Sequence, residues 1–229
     1  MKKTLVISSG AGISAESGIT TFRDSGGLWE QYPVMEVCSA DGFERNPGLV
    51  HRFYNERRRD MLKASPNSAH KGLVDLEQLF DVYVITQNVD DLHERAGQKN
   101  VLHLHGELMK VRALDDDSKV YRLTAGNMET SPTTQINGHY VRPHIVFFQE
   151  AVPNMEPAVK LVQKADIFVV IGTSLNVYPA AGLLHYVRSD AEVYYIDPNP
   201  ASVPEWVHII KSSATEGVAK LAEILKSKI

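Results

Sequence analysis

The sequence predicts an α/β fold, a parallel sheet covered by helices on both faces, with a small lobe inserted into it. Three observations carry this expectation. Short runs rich in Val, Ile, Tyr and Phe alternate with segments of helical periodicity, the runs are almost continuously apolar, and each ends in glycine or polar residues. Strands of that kind are buried on both faces. In such sheets ligands collect beyond the C-terminal ends of the strands.

The strands are "TLVISSG" (4–10), "VYVITQN" (82–88), "ADIFVVIG" (165–172) and "AEVYYIDP" (191–198), with "VLHLHG" (101–106) and "VHIIKS" (207–212) as weaker members. Between them, residues 66–80 carry Leu73, Leu76, Leu79 and Phe80, residues 154–164 start at a cap on Asn154, and residues 215–228 place Val218, Leu221, Ile224 and Leu225 on one face. Residues 30–65 read as mostly helical, and 107–147 as an irregular or β-rich excursion. The expectation is one domain over residues 1–229. Its Rossmann-like core takes in approximately 1–30, 66–106 and 148–229, and its lobe the insertions 31–65 and 107–147.

A length of 229 residues with 43% hydrophobic side chains is enough for a real core, and a net charge of −4 argues against a nucleic-acid partner. Cys38 is the only cysteine, which excludes an intramolecular disulfide and a cysteine-based metal site. The apolar run Leu5–Ile7 is too short for a signal peptide, and no window approaches the roughly 18 apolar residues of a membrane span. A cytoplasmic protein with no membrane partner is expected. The oligomeric state is open.

Gly10-Ala11-Gly12-Ile13-Ser14-Ala15 follows the first strand in a loose dinucleotide-binding pattern. Such a turn also serves simple tight packing between strand and helix. A dehydrogenase would show a strand ending in an acid about 20 residues on; here that place holds "FRDSGGLWEQYP". A nucleotide site capped by an aromatic and arginine loop fits better. His103 and His105 of "HLHG" would share a strand face and could form a metal pair, as in zinc amidohydrolases. Those barrels need about 250 residues of eightfold repeat, which this chain lacks. His103 is then a packed residue supporting its neighbours, and His93 of "DLHERAG" a helix-surface residue.

The stretch "GAGISAESGITTFRDSGGLWE" resembles the cofactor loop of the sirtuins, the NAD-dependent protein-lysine deacylases. "TQNVDDLHERAG", "HLHGEL" and "IGTSLNVYPAAGL" resemble that family's further motifs, in the family order and over nearly the whole chain. The resemblance implies NAD as co-substrate, acylated-lysine proteins or peptides as partners, and nicotinamide, O-acyl-ADP-ribose and free lysine as products. It implies His105 as general base, with Asn88 and Asp90 at the nicotinamide end and Gln87 on the ribose. The rest of the cofactor site would come from Gly10, Ala11, Gly12, Ile13, Glu16, Ser17, Thr21, Phe22, Arg23, Trp29 and Val89. On the phosphate and adenosine side it would use Gly172, Thr173, Ser174, Tyr195, Ile196, Asp197 and Ala214.

"FYNERRRDML" (53–62) places Tyr54 and Arg57 on one helical face. Arg58 and Arg59 would point elsewhere, toward solvent or Glu56 and Asp60. The pair resembles the Tyr-x-x-Arg signature of the class III sirtuins, which remove acidic acyl groups such as succinyl and malonyl. A guanidinium and a phenol suit a terminal carboxylate.

Three departures from the family stand out. The usual four-cysteine zinc module is missing, with Ala113 where the first cysteine is expected, so no structural zinc is expected and packing must hold the lobe. In "IVFFQE" (145–150), Gln149 replaces a glycine in the strand expected to pair with substrate backbone, where it could narrow the groove. Val146, Phe147 and Phe148 would still wall the acyl-lysine tunnel. Tyr195 stands where an asparagine is common, with Asp197 able to take over a ribose hydroxyl. Two other functions use the same pocket, mono-ADP-ribosyl transfer or NAD hydrolysis; a third is NAD-binding regulation with weak catalysis.

Overall fold

The computed structural model describes residues 2–20 and 32–228. Thr21, Phe22, Arg23 and Trp29 lie outside the described residues. A six-stranded sheet contains β1 (Thr4–Ser9), β2 (Asp81–Thr86), β3 (Val101–His103), β8 (Ile167–Ile171), β9 (Glu192–Ile196) and β10 (Val207–Ile210). Its order is β10-β9-β8-β1-β2-β3 and every pairing is parallel.

The continuous apolar character of these strands follows from helices on both faces. Leu5, Ile7, Val82, Val84, Ile167 and Val169 meet α5 (Ser68–Asp75) and α8 (Ala214–Lys226) through Leu73, Val218 and Leu221. On the other face Val6, Ile85, Phe168 and Val170 meet α7 (Met155–Val162) through Ala158 and Val162. Each such side chain contributes about 1.5–3 kcal/mol by leaving water. Asn154 occupies the position before α7 but does not cap it with its side chain; its amide donates instead to the His103 carbonyl at 2.7 Å.

The chain leaves β1 toward β2 and β3 on one side, and returns through β8 to β9 and β10 on the other. The strand order therefore switches between β1 and β8, the place beyond the strand ends where ligands bind in sheets of this kind. Gly10 and α1 (Gly12–Ala15) follow β1, and Gly172 follows β8.

"VLHLHG" is not one strand. β3 stops at His103, and β4 (Gly106–Ala113) starts a separate antiparallel sheet with β5 (Val120–Arg122), β6 (Gln135–Ile136) and β7 (His139–Ile145), in the order β5-β4-β7-β6. Gly106 makes the break, with φ of +87° and so little room that a Cβ would lie 2.0 Å from the His144 carbonyl oxygen. The second sheet packs against α2 (Val34–Val37), α3 (Ala40–Arg45) and α4 (Pro47–Lys63). Ser39 and Asn46 cap α3 and α4, and Pro47 sits in the first turn of α4. Ala113 is fully buried, and Val111, Leu123 and Val141 form the core of the second sheet. Among the described residues no group of three or more His, Cys, Asp or Glu is placed to hold a metal ion.

Arg58 does not face solvent. It is fully buried, and donates through Nε to the Leu108 carbonyl at 2.7 Å and through Nη1 to Asn55 Oδ1 at 2.7 Å and the Met128 carbonyl at 3.1 Å. Burial lowers its pKa to about 10 against the pull of Tyr54 and Glu129, so it stays charged at neutral pH. It ties α4 to β4. Arg59 pairs with Glu129, while Glu56 accepts from Tyr32 Oη at 2.5 Å.

Candidate functional site

At the switch point the two glycine turns interlock. Gly10 N donates to the Ile171 carbonyl at 2.9 Å and Gly12 N to the Gly172 carbonyl at 2.8 Å. Gly172 has φ of +62°, and a Cβ there would lie 2.5 Å from Ile13 N. Only glycine allows this approach of backbone to backbone. Gly172 N donates in turn to the Ile196 carbonyl at 3.0 Å, and Tyr195 Oη to the Thr173 carbonyl at 2.7 Å. Tyr195 is fully buried, so it supports the turn of Thr173 and Ser174 from beneath. Asp197 accepts from Asn199 N at 2.8 Å and shapes the turn after β9.

Beside this turn, residues 87–90 are held from several sides. Gln87 N donates to the Ser9 carbonyl at 2.9 Å, and Gln87 Nε2 reaches Thr173 Oγ1 at 3.4 Å. Asn88 N donates to Thr86 Oγ1 at 3.0 Å, and its amide to Ser14 Oγ at 3.2 Å. Ser14 Oγ passes its own hydrogen to Asp90 Oδ2 at 3.0 Å. The Val89 carbonyl accepts from Leu108 N at 2.8 Å. Burial raises the Asp90 pKa, against hydrogen bonds from Leu92 N and Ser14. Ser14 is the joint between Asn88 and Asp90. Its place inside the glycine motif was the sequence signal for it.

His105 follows Leu104 between the two sheets. Its Nδ1 lies 3.0 Å from the Gln87 carbonyl oxygen, so Nδ1 carries the proton and Nε2 the lone pair. Burial lowers its pKa despite that hydrogen bond, which keeps the ring neutral at neutral pH. The His105 carbonyl accepts from Val146 N at 3.0 Å. His103 is not on a shared strand face with it, because β3 ends between them. Its Nδ1 meets the next carbonyl, that of Asn88, at 2.9 Å, and its Nε2 meets Glu94 Oε1 at 2.8 Å.

His93 is buried, not on the surface. It lies 3.0 Å from Ser9 Oγ, which donates to Thr86 Oγ1 at 2.9 Å. Glu16 accepts from Thr215 N at 3.0 Å and Thr215 Oγ1 at 2.7 Å, closing the start of α8 beside Ala214. Ser17 Oγ accepts from Asn67 Nδ2 at 3.0 Å.

On α4, Tyr54 is buried and points its hydroxyl at Cys38 Sγ, 3.6 Å away. Burial raises the Cys38 pKa, while the Tyr54 hydrogen bond and the Arg57 charge draw it down. Arg57 reaches Asp60 through Nη2 at 3.3 Å; among the described residues its buried Nη1 has no partner.

The segment after Ile145 leaves the sheet. Phe148 N donates to the Cys38 carbonyl at 2.8 Å, and the Phe148 carbonyl accepts from Ala40 N at 3.1 Å, so the chain's own residues 38–40 pair with it. Phe147 is buried against Tyr54 and Phe43, with the Arg142 guanidinium 3.9 Å above its ring, whereas Phe148 is exposed. Gln149 turns its side chain onto Asp41, donating to Oδ2 at 2.8 Å and accepting from Asp41 N at 3.2 Å.

The Sir2 family model matches residues 10–179. An NAD-dependent protein deacylase of Bacteroides thetaiotaomicron is 52% identical over 97% of this chain and 98% of its own length. One of Helicobacter pylori is 50% identical over 96% of each chain. Among solved structures, a Sir2 homolog in complex with NAD superposes with a TM-score of 0.86 at 35% identity, over 99% of this chain and 91% of the other. A mutant Sir2 homologue in complex with ADP-ribose gives 0.87 at 34% identity, over 99% and 93%.

Proposed function

This chain belongs to the Sir2 family, the sirtuins, and from that premise we propose that it is an NAD-dependent protein-lysine deacylase favouring succinyl and malonyl groups over acetyl. The observation that carries the catalytic part is the environment of His105. One ring nitrogen is committed to the Gln87 carbonyl and the other is left as a base, beside the Ser14–Asn88–Asp90 cluster at the mouth of the glycine turns.

The residues fit NAD. The interlocked glycines hold the turns after β1 and β8 tight against each other at the switch point, where dinucleotides bind in folds of this kind. Bound there, NAD supplies the ribose carbon that the acyl oxygen takes up as nicotinamide leaves. Asn88 and Asp90 hold the nicotinamide end and Gln87 the ribose. His105 Nε2 accepts a proton from a ribose hydroxyl, which then attacks the acyl carbon. One water adds as the lysine amine leaves the acyl carbon, and the products are nicotinamide, O-acyl-ADP-ribose and free lysine.

The preference for acidic acyl groups rests on Arg57. Its buried Nη1, without a partner among the described residues and one helical turn from Tyr54 on α4, suits a terminal carboxylate, which acetyl lacks. The peptide would lie along residues 146–149, with Asp41 and Gln149 at its border. The same reading takes the chain as one domain, a parallel-sheet core with the lobe docked on it, working in the cytoplasm on acylated proteins and not on nucleic acid.

The test is nicotinamide release from NAD with matched succinyl-, malonyl- and acetyl-lysine peptides, with the second product identified by mass spectrometry. O-acyl-ADP-ribose with faster turnover of the acidic peptides supports the proposal. An ADP-ribosylated protein or free ADP-ribose as the main product would sink the deacylase reading, and acetyl preference would sink the acyl assignment alone.

A further inference from the structure

His103 lies in a setting that decides its protonation. It is 7% exposed, at the end of β3. Its Nδ1 faces a peptide carbonyl, its Nε2 faces the Glu94 carboxylate, and neither acceptor carries a hydrogen. Glu94 itself is 40% exposed and keeps its ionised form in contact with water. Both ring nitrogens must therefore donate, which makes the ring an imidazolium. A neutral ring satisfies only one side: with the proton on Nδ1 a lone pair faces Glu94, and with the proton on Nε2 a lone pair faces the Asn88 carbonyl.

What the imidazolium grips is the backbone of the candidate site. His105 and His103 take the consecutive carbonyls of Gln87 and Asn88. Asn88 N is fixed on Thr86, so the two ends of residue 88 are pinned, and its amide must aim at Ser14 and, through it, at Asp90. We propose that His103, charged and held by Glu94, is a positioning residue for deacylation, setting Asn88 and Asp90 by its grip on the Asn88 carbonyl. This rests on the assignment of Asn88 and Asp90 to the nicotinamide end.

Titration agrees in direction. Burial would lower the His103 pKa, but the Glu94 hydrogen bond and charge outweigh it and raise the value; Glu94 shifts down in response. The other charged or titratable groups around the ring are Glu107 and Lys110 from β4, His93 beside Glu94, and Asp90 below. Activity then needs His105 neutral and His103 charged, a window bounded on its alkaline side by His103.

The test is kcat/KM for NAD in wild type, His103→Asn, His103→Gln and Glu94→Gln, measured from acid to alkaline pH with a fixed acyl peptide. An Asn amide sits where Nδ1 was and still donates to Asn88; a Gln amide reaches the Nε2 position and Glu94 only. His103→Asn should keep kcat/KM within about threefold of wild type, and His103→Gln should lose at least about tenfold, the scale of one charge-assisted hydrogen bond. KM for the peptide should stay within about twofold in both. Glu94→Gln, at a half-exposed position, lets a neutral His103 donate to Asn88 while accepting from the new amide, so it should keep activity at neutral pH and lose the alkaline fall. Equal losses in His103→Asn and His103→Gln, or an alkaline fall unchanged in Glu94→Gln, would overturn the positioning role alone. A wild type silent on every acyl peptide overturns the deacylase reading and this proposal with it.

Discussion

The Arg57 guanidinium reaches Asp60 through one terminal nitrogen, at 3.3 Å, and buries the other without a partner among the described residues. An orphaned N–H is costly, on the order of 1–3 kcal/mol, until an acceptor arrives. A carboxylate at the end of an acyl chain removes that cost, and the two-carbon tail of acetyl cannot. Arg57→Met should therefore lower kcat/KM for succinyl-lysine peptide by about 10–100-fold and leave deacetylation within about threefold. Equal effects on both acyl groups would mean that Arg57 supports α4 and does not read the substrate.

His105 gives a second expectation. Its pKa is lowered by burial, so the base stays available below the pH at which an ordinary histidine, near 6.5, takes up its proton. The acid limb of the pH profile should lie below that value, with activity falling as pH drops through it. His105→Ala should lose about 10²–10⁴ in kcat. A wild-type acid limb above the ordinary histidine range would contradict the burial argument.

Much of the fold was legible because buried parallel strands are continuously apolar, as β1 and β8 are, and because glycine turns mark their ends. The break between β3 and β4 was not. His103, Leu104 and His105 continue a period-two pattern, and only the close approach of β7 to Gly106 shows why the strand must stop. Arg58 misled for a related reason. Three consecutive arginines look like a solvated face, and the carbonyls that receive Arg58 come from Leu108 and Met128, far away in sequence. His93 sits in a helix of five residues, Leu92–Ala96, too short to display a face; its burial is set by Ser9. The Tyr54–Arg57 spacing was legible, but the orphaned Nη1 required the packing around it.

The glycine turns predict a separable effect on nucleotide binding. Alanine at Gly172 must hold φ at +62° and fit its Cβ 2.5 Å from Ile13 N, a strain of roughly 1–2 kcal/mol before any clash is relieved. The relief must come from moving the Gly10–Ile13 turn. Gly172→Ala should weaken NAD binding by about tenfold or more in calorimetry, while far-ultraviolet circular dichroism stays unchanged. Wild-type affinity in this variant would mean that the interlocked turns serve packing alone.

The buried histidines outside the site predict a loss of stability in acid. Burial lowers His51 and His70 to about 4 each, and holds His93 well below the ordinary histidine value. Unfolded, each takes up a proton near 6.5. Above that value neither state binds the proton and the full stability is present. As pH falls from about 6.5 toward 4, the unfolded state binds protons that the folded state refuses, and stability falls. The two residues together account for several kcal/mol at most, about 3 kcal/mol each by the shift. The melting temperature should thus drop markedly between pH 7.5 and pH 5. A variant carrying His51→Gln and His70→Gln, neutral at both pH values, should lose a large part of that drop even if it melts lower at pH 7.5. An unchanged pH dependence in that variant would place the acid sensitivity elsewhere, in His93 or in the carboxylates of Glu94 and Glu150, whose lowered pKa values also make the folded state refuse protons.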